Sequence, residues 1–247
     1  MVGTDACTIN TASATGTFAS ANVGTAITVT VAGIAKAGVD NANYSITQPT
    51  TTANITVRGL TVTASNQTKT YGDSALGTTS FTSSGLQNSE TIGGVTLTSN
   101  STLSTSGNYI AGSSTITPSA ATGGTFTISN YSVTYATGTL TVNQKALTVL
   151  NVTANDKPYD GLTTATSQLN LGTAAFSGVV SGDVVSINTA SATGTFDNAN
   201  VGLRNITVAG IAKAGADNAN YSITQPTTTA NITQRGLTVT ASNQTKT

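Results

Sequence analysis

The feature that most constrains this chain is that it repeats itself. Residues 9–18, INTASATGTF, return unchanged at 187–196, and residues 41–56, NANYSITQPTTTANIT, return unchanged at 218–233. Between Gly24 and Val31 the first copy carries one more residue than the second carries between Gly202 and Val208. Residues 59–70, GLTVTASNQTKT, return at 236–247. The period is therefore about 177 residues, far longer than the roughly 20–45 residues of a solenoid repeat. What recurs is a domain or a pair of domains.

Half of that period also repeats, more loosely. The stretch Gly59–Leu76, GLTVTASNQTKTYGDSAL, parallels Ala146–Thr163, ALTVLNVTANDKPYDGLT. Both open on L-T-V and then reach a Lys–x–Tyr followed by a Gly/Asp pair: Lys69, Tyr71, Gly72 and Asp73 in one, Lys157, Tyr159, Asp160 and Gly161 in the other. Later, Asn130-Tyr131-Ser132-Val133-Thr134 parallels Asn220-Tyr221-Ser222-Ile223-Thr224. The unit is thus a module of about 88 residues, in two alternating types. Residues 1–57 read as the later part of a first-type module, 58–145 as a complete second-type module, and 146–234 as a complete first-type module. Residues 235–247 read as the opening strand of another second-type module. Met1 leads into mid-module sequence, not into a charged segment and an apolar core, so the start is not a signal peptide and the chain reads as a piece of a longer array.

Within the modules the pattern has period 2. Leu60, Val62 and Ala64 alternate with Thr61 and Thr63, and Ile206 and Val208 flank Thr207. Val133 and Tyr135 flank Thr134, and Leu140 and Val142 alternate with Thr139 and Thr141. Such runs are strands with one dry face, and the clusters YGDS, PYDG, NANVG and DNAN between them are turns. A single helical turn is expected around Gly85–Glu90 and no longer helix anywhere. The fold class is all-β: tandem small antiparallel β-sandwich or β-grasp-like modules in an extended array, joined with almost nothing between Gln144 and Leu147.

Composition narrows the function. Only 7% of residues are charged, nine basic against nine acidic, for a formal net charge of zero. That leaves no basic stripe for nucleic acid and no polybasic face for a membrane surface. No apolar run reaches the roughly 18 residues that span a bilayer. Roughly a fifth of the residues are Thr, which suits a pleated, half-wet surface of the kind extracellular β-repeats use. There is no histidine, the commonest general base and metal ligand, and one cysteine, so no intrachain disulfide. Cys7 corresponds to Val185 and reads as a small core hydrophobe. No catalytic residues, no cofactor and no metal are expected.

The second-type module, with LTVTASNQTKTYGDSAL early and SNYSVTYATGTLTV late, resembles the MBG domain of the YGX type. The first-type module, with KPYDG at Lys157–Gly161 and NANYSI at Asn218–Ile223, resembles the YDG domain. The middle module has Ser74-Ala75-Leu76 where a Pro-containing acidic turn is expected, a departure without functional meaning. The resemblance covers nearly the whole chain. It implies an array within a large bacterial exoprotein similar to filamentous-haemagglutinin-like adhesins, a secreted or cell-surface location, and an adhesive or spacer role. It carries over no catalytic residue.

Several residues admit a sharper reading beside a plain one. Tyr71 and Tyr159 could stack on a pyranose, or pack at a corner with the hydroxyl bonded while Gly and Asp make the turn. Lys69 with Asn130 and Glu90, and Lys157 with Asn220 and Asp183, hold corresponding positions and could form a Lys–Asn isopeptide, or be turn lysines in solvent. Asp156 and Asp160 are the one close acidic pair, with Asp197 and Asp217 isolated, too few carboxylates for calcium bracing. Asn54, Asn100, Asn130 and Asn231 head N-x-S/T triplets that a Thr- and Asn-rich chain generates by chance.

Three functions follow from these readings: a stalk that spaces a distal binding domain from the cell, weak multivalent modules for host or matrix glycans or matrix proteins, and an enzyme. The last needs a carboxylate pair about 5–10 Å apart in a cleft, which nine scattered acids do not promise. The partners expected are neighbouring modules of the same chain. Residues 1–57 lack an opening strand and 235–247 are one without a domain, so head-to-tail self-association or fraying of both ends is expected.

Overall fold

The computed structural model describes residues 2–73 and 76–246. It is all-β: among the described residues there are strands, four single-turn 3-10 helices and no α-helix. Its curled sheets fit β-sandwich-like modules, and a β-grasp would need a helix that is not found among the described residues. The chain clusters into two compact units. One comprises Met1–Ser65, Gly77–Leu97 and Thr117–Thr137, and the other Asn66–Leu76, Thr98–Ile116 and Gly138–Thr247.

In the first unit Gly24–Ala32 lies between Thr15–Phe18 and Thr50–Ile55, antiparallel to both, and Thr8–Asn10 pairs antiparallel with Ala35–Ala37. A second sheet has Arg58–Ala64 in the middle, antiparallel to Phe81–Ser84 and parallel to Tyr131–Ala136. The alternation of Leu60, Val62 and Ala64 with threonines puts the apolar set on one face, where Leu60 and Val62 bury against Val95, Ala121 and Tyr131.

In the second unit Lys145–Leu150 lies between Ala175–Ser177, antiparallel, and Tyr221–Thr224, parallel. A four-stranded sheet runs in the order Lys157–Pro158, Thr227–Thr233, Gly202–Ala209, Thr193–Phe196. Phe196, Ile206, Val208, Ile211, Ala230 and Ile232 make its core with Val149. Gln67–Thr70 pairs parallel with Gly138–Asn143, which pairs antiparallel with the Gly112–Ile116 part of Gly112–Gly124.

The all-β expectation stands, with one correction: the sheets are mixed, not purely antiparallel. In both complete modules the opening strand pairs in parallel with the next-to-last strand, some seventy residues away, as Leu60 with Val133 and Leu147 with Ile223. Period-2 alternation fixes which face is dry and is blind to strand direction. The expected helical turn at Gly85–Glu90 is also corrected. Asn88 and Ser89 have φ of 50° and 59°, left-handed values no helix accepts, and Glu90 N–H donates to Gln87 O at 2.8 Å to close a tight turn.

Candidate functional site: the module junctions

Several polar side chains link one module to the next. In the second unit the 3-10 turn Asn218–Asn220 delivers Tyr221 into an extended conformation, φ −124° and ψ 153°, at the head of its strand. The ring of Tyr221 meets that of Tyr71, from the preceding module, edge to face with centroids 5.2 Å apart. Both hydroxyls donate to Oδ2 of Asp183, at 2.6 Å from Tyr71 and 2.5 Å from Tyr221. Val180 N–H donates to the Tyr221 oxygen at 2.9 Å.

Two further links span the same junction. Ala111 N–H donates to Oδ1 of Asn220 at 2.9 Å. Asp217 accepts from Thr105 through both backbone N–H (3.1 Å) and hydroxyl (2.5 Å), and from Val184 N–H at 2.8 Å. Gly72, at φ +89°, lies so close to Val180 that an added Cβ would sit 2.9 Å from its methyl.

The electrostatics follow from that geometry. Burial pushes the Tyr71 and Tyr221 hydroxyls above their ordinary 10.0, and the bond each gives Asp183 pushes the same way. Burial also works to raise the Asp183 carboxyl, but hydrogen bonds from Ser106, Tyr221 and Tyr71 outweigh it and hold the group below 3.8. The Thr105 hydroxyl and Val184 N–H hold Asp217 below 3.8 as well. Both carboxylates stay ionised where they are needed as acceptors.

The first unit repeats the arrangement. Val23 N–H donates to Oδ1 of Asn130 at 2.9 Å, and Nδ2 of Asn130 donates to Asn22 Oδ1 at 3.0 Å. Tyr131 donates its hydroxyl to Glu90 and accepts from Gln87 N–H at 3.1 Å. Near the start of the chain Tyr44 donates to Asp5 Oδ2 at 2.8 Å and accepts from Val2 N–H at 2.7 Å. One Asn-Tyr pair thus performs the same two tasks in both junctions: the Asn caps an amide of the preceding module, and the Tyr ties a carboxylate within its own.

Residues 1–53 and 143–230 match the YDG domain, and residues 60–141 match the MBG domain (YGX type). The chain belongs to the YDG-domain family. An MBG domain stands between its two YDG segments. No curated protein matches the chain.

Tyr71 is 1% exposed, its ring enclosed at the MBG–YDG junction, so it offers no face to a sugar. Tyr159 is 39% exposed and its N–H donates to Thr233 O at 2.8 Å. Of the YDG trio, Lys157 is buried and gives its three ammonium hydrogens to Asp160 Oδ1 (2.9 Å), Leu162 O (2.8 Å) and Thr164 O (3.1 Å). Asn220 and Asp183 are engaged at the junction instead. Of the MBG trio, Asn130 and Glu90 are partnered as described above, and Lys69 lies on Gln67–Thr70 in the other compact unit.

The acidic residues are taken up locally. The bond from Lys157, then one from Leu162 N–H, holds the Asp160 carboxyl below its ordinary range. Asp156 accepts from Asn231 N–H at 2.6 Å, and Asp197 from Asn205 Nδ2 at 3.2 Å. Among the described residues no three His, Cys, Asp or Glu side chains come together. Sequence reasoning named Asp183, Asn130 and Asn220 for another chemistry and overlooked Thr105 and Ala111. The recurring N-Y-S triplet with an acid some forty residues upstream was the available signal.

Proposed function

We propose that this chain is a stretch of structural spacer in a secreted or surface-displayed bacterial adhesin, holding a binding domain away from the cell, and that it has no catalytic activity. The observation that carries the reading is the reuse of one junction design, Asn130 on Val23 and Asn220 on Ala111, between modules of alternating type. A partly buried, side-chain-to-backbone link beside an almost linkerless join resists hinging, which is what a spacer requires. The near absence of charge, the nine scattered acids and the lack of histidine support a passive role.

A second reading, weak glycan binding made useful by many copies, rests on the exposed ring of Tyr159 in the Lys157–Gly161 turn. The test is binding of the purified chain to an immobilised panel of glycans and matrix proteins, with and without calcium. Silence across the panel supports the spacer. Saturable binding that Tyr159→Ala abolishes replaces it with the second reading.

A further inference from the structure

The MBG domain and the second YDG domain each hold a Lys–x–Tyr turn in the same way. Lys69 lies opposite Val142 and Lys157 opposite Ile232, each in a parallel pairing. The N–H of the tyrosine then donates to a carbonyl of the last strand, Tyr71 to Asn143 O at 2.9 Å and Tyr159 to Thr233 O at 2.8 Å. The turns part at the next residue. Gly72 follows Tyr71 at φ +89°, and Asp73 closes the turn by accepting from Thr70 N–H at 2.9 Å. Asp160 follows Tyr159 and accepts from the Lys157 ammonium and from Leu162 N–H, each at 2.9 Å, and the left-handed residue comes one place later, Gly161 at φ +78°.

The surface that receives such a turn also has one frame and one difference. In the YDG domain Asp183 N–H donates to Val180 O at 3.1 Å, and the Tyr221 hydroxyl donates to Asp183 while accepting from Val180 N–H. In the MBG domain Glu90, Tyr131 and Gln87 stand in those three places and make the same bonds. The residue that walls the frame is thus Val180 in one type and Gln87 in the other. At the MBG–YDG junction Gly72 lies against that wall, where an added Cβ would come within 2.9 Å of a Val180 methyl. Lys145 Nζ, 3.9 Å from the same point, is the free end of a flexible chain and can move aside. A β-branched side chain has no such freedom.

We propose that the Gly72–Val180 contact selects which module can stand ahead of a YDG domain. The Val180–Asp183 turn takes an MBG domain, whose Tyr71-Gly72 brings a hydroxyl to Asp183 and no side chain to the wall. It refuses another YDG domain, whose Tyr159-Asp160 brings an equivalent tyrosine and, at the next position, a Cβ that Val180 leaves no room for. The shared frame supplies attraction to either type, and the clash supplies the discrimination. Alternation of the two module types is then enforced by packing at the junction.

Hydrogen exchange at the Ala111 amide, which Asn220 holds across the same junction, reads its closure in the full chain. Gly72→Ala is expected to speed that exchange about tenfold, while amides of Gly202–Ala209 keep their rates and show the YDG sheet intact. Adding Val180→Ala should return the rate to that of Val180→Ala alone. The strain of an L residue at φ +89° is common to both backgrounds, so only the contact with position 180 differs between them. Gly72→Asp with Asp73→Gly gives the MBG turn the YDG order and should loosen the junction in the same way, again relieved by Val180→Ala. If that exchanged turn fails to fold, the alanine cycle decides alone. Equal acceleration with and without the Val180 side chain places the cost in the turn itself and overturns the proposal. So does an Ala111 amide that stays protected in Gly72→Ala.

Discussion

The hydroxyls of Tyr71 and Tyr221, one from each side of a module junction, converge on the same oxygen of Asp183 at 2.6 and 2.5 Å. Bonds to a charged acceptor are the stronger kind, and losing it leaves the enclosed Tyr221 hydroxyl without an acceptor and Tyr71 with only the long contact to Ser106 Oγ at 3.4 Å. Asp183→Ala is expected to cost about 2–4 kcal/mol, whereas Tyr71→Phe costs about 1, because it removes a donor and leaves the carboxylate still bonded by Tyr221. In a double-mutant cycle Tyr71→Phe and Tyr221→Phe should be non-additive, since each hydroxyl compensates for the other. Chemical denaturation of the four proteins is the measurement; strict additivity would show that the shared oxygen couples nothing.

The same geometry sets a dependence on pH. Asp183 and Asp217 are held below their ordinary 3.8 in the folded chain, so the unfolded state takes up protons first as pH falls. Their stabilisation is complete well above pH 3.8 and is lost progressively as pH drops through that value toward the folded ones. Tyr71, Tyr131 and Tyr221, raised above 10.0, work the other way: their contribution is intact below pH 10.0 and goes as pH rises through the raised values. Thermal unfolding of the chain should therefore show a shallower acid limb in Asp183→Asn than in the parent, and an unchanged acid limb would remove Asp183 as its source. In an alkaline absorbance titration these three phenols should ionise above their ordinary 10.0.

How far the sequence reaches can be seen at particular residues. The dry faces of Leu60-Val62-Ala64 and Ile206-Val208 follow from alternation with threonine, because side chains of a strand point to opposite faces whatever its neighbours are. Direction does not follow: nothing local distinguishes a parallel partner for Leu147 from an antiparallel one, and its partner Ile223 lies beyond the reach of any window. Tyr71 was legible as a corner residue beside Gly72 and Asp73, but its acceptor Asp183 belongs to the next module. The junction links combine residues more than a hundred positions apart, as with Asn130 and Val23, and only the repetition of N-Y-S hinted at them.

Identical sequence need not mean identical burial. Phe18 and Phe196 close the same decapeptide, yet Phe18 is 42% exposed and Phe196 2%. The difference is what covers the ring: Phe196 N–H donates to Thr163 O at 2.7 Å and the Lys157 ammonium sits 5.3 Å from its ring centroid. Phe196→Ala is expected to cost about 3–5 kcal/mol and Phe18→Ala less than about 1, because only the first opens a cavity. Equal losses in denaturant titrations of the two variants would mean that Phe18 has found cover of its own.

If the Asn links are what stiffens the junctions, they can be removed without touching a core. Asn220 accepts from Ala111 N–H through its side-chain oxygen, and Asn220→Ala leaves that amide unpaired in a partly buried place, at an expected cost of about 1–2 kcal/mol. Asn220→Asp restores an acceptor of the same reach and should recover the loss in part, whereas a purely steric role for the side chain would not distinguish Asp from Ala in this order. The sharper readout is local. Hydrogen exchange at the Ala111 amide should speed up in Asn220→Ala and slow again in Asn220→Asp, while amides of Gly202–Ala209, deep in the YDG sheet, keep their rates. Val23 with Asn130 provides the matching pair at the other junction, and Asn130→Ala should expose the Val23 amide in the same way. Should both amides stay protected in the alanine variants, the Asn side chains are passengers, and the stiffness assigned to the junctions must come from packing such as the Gly72–Val180 contact.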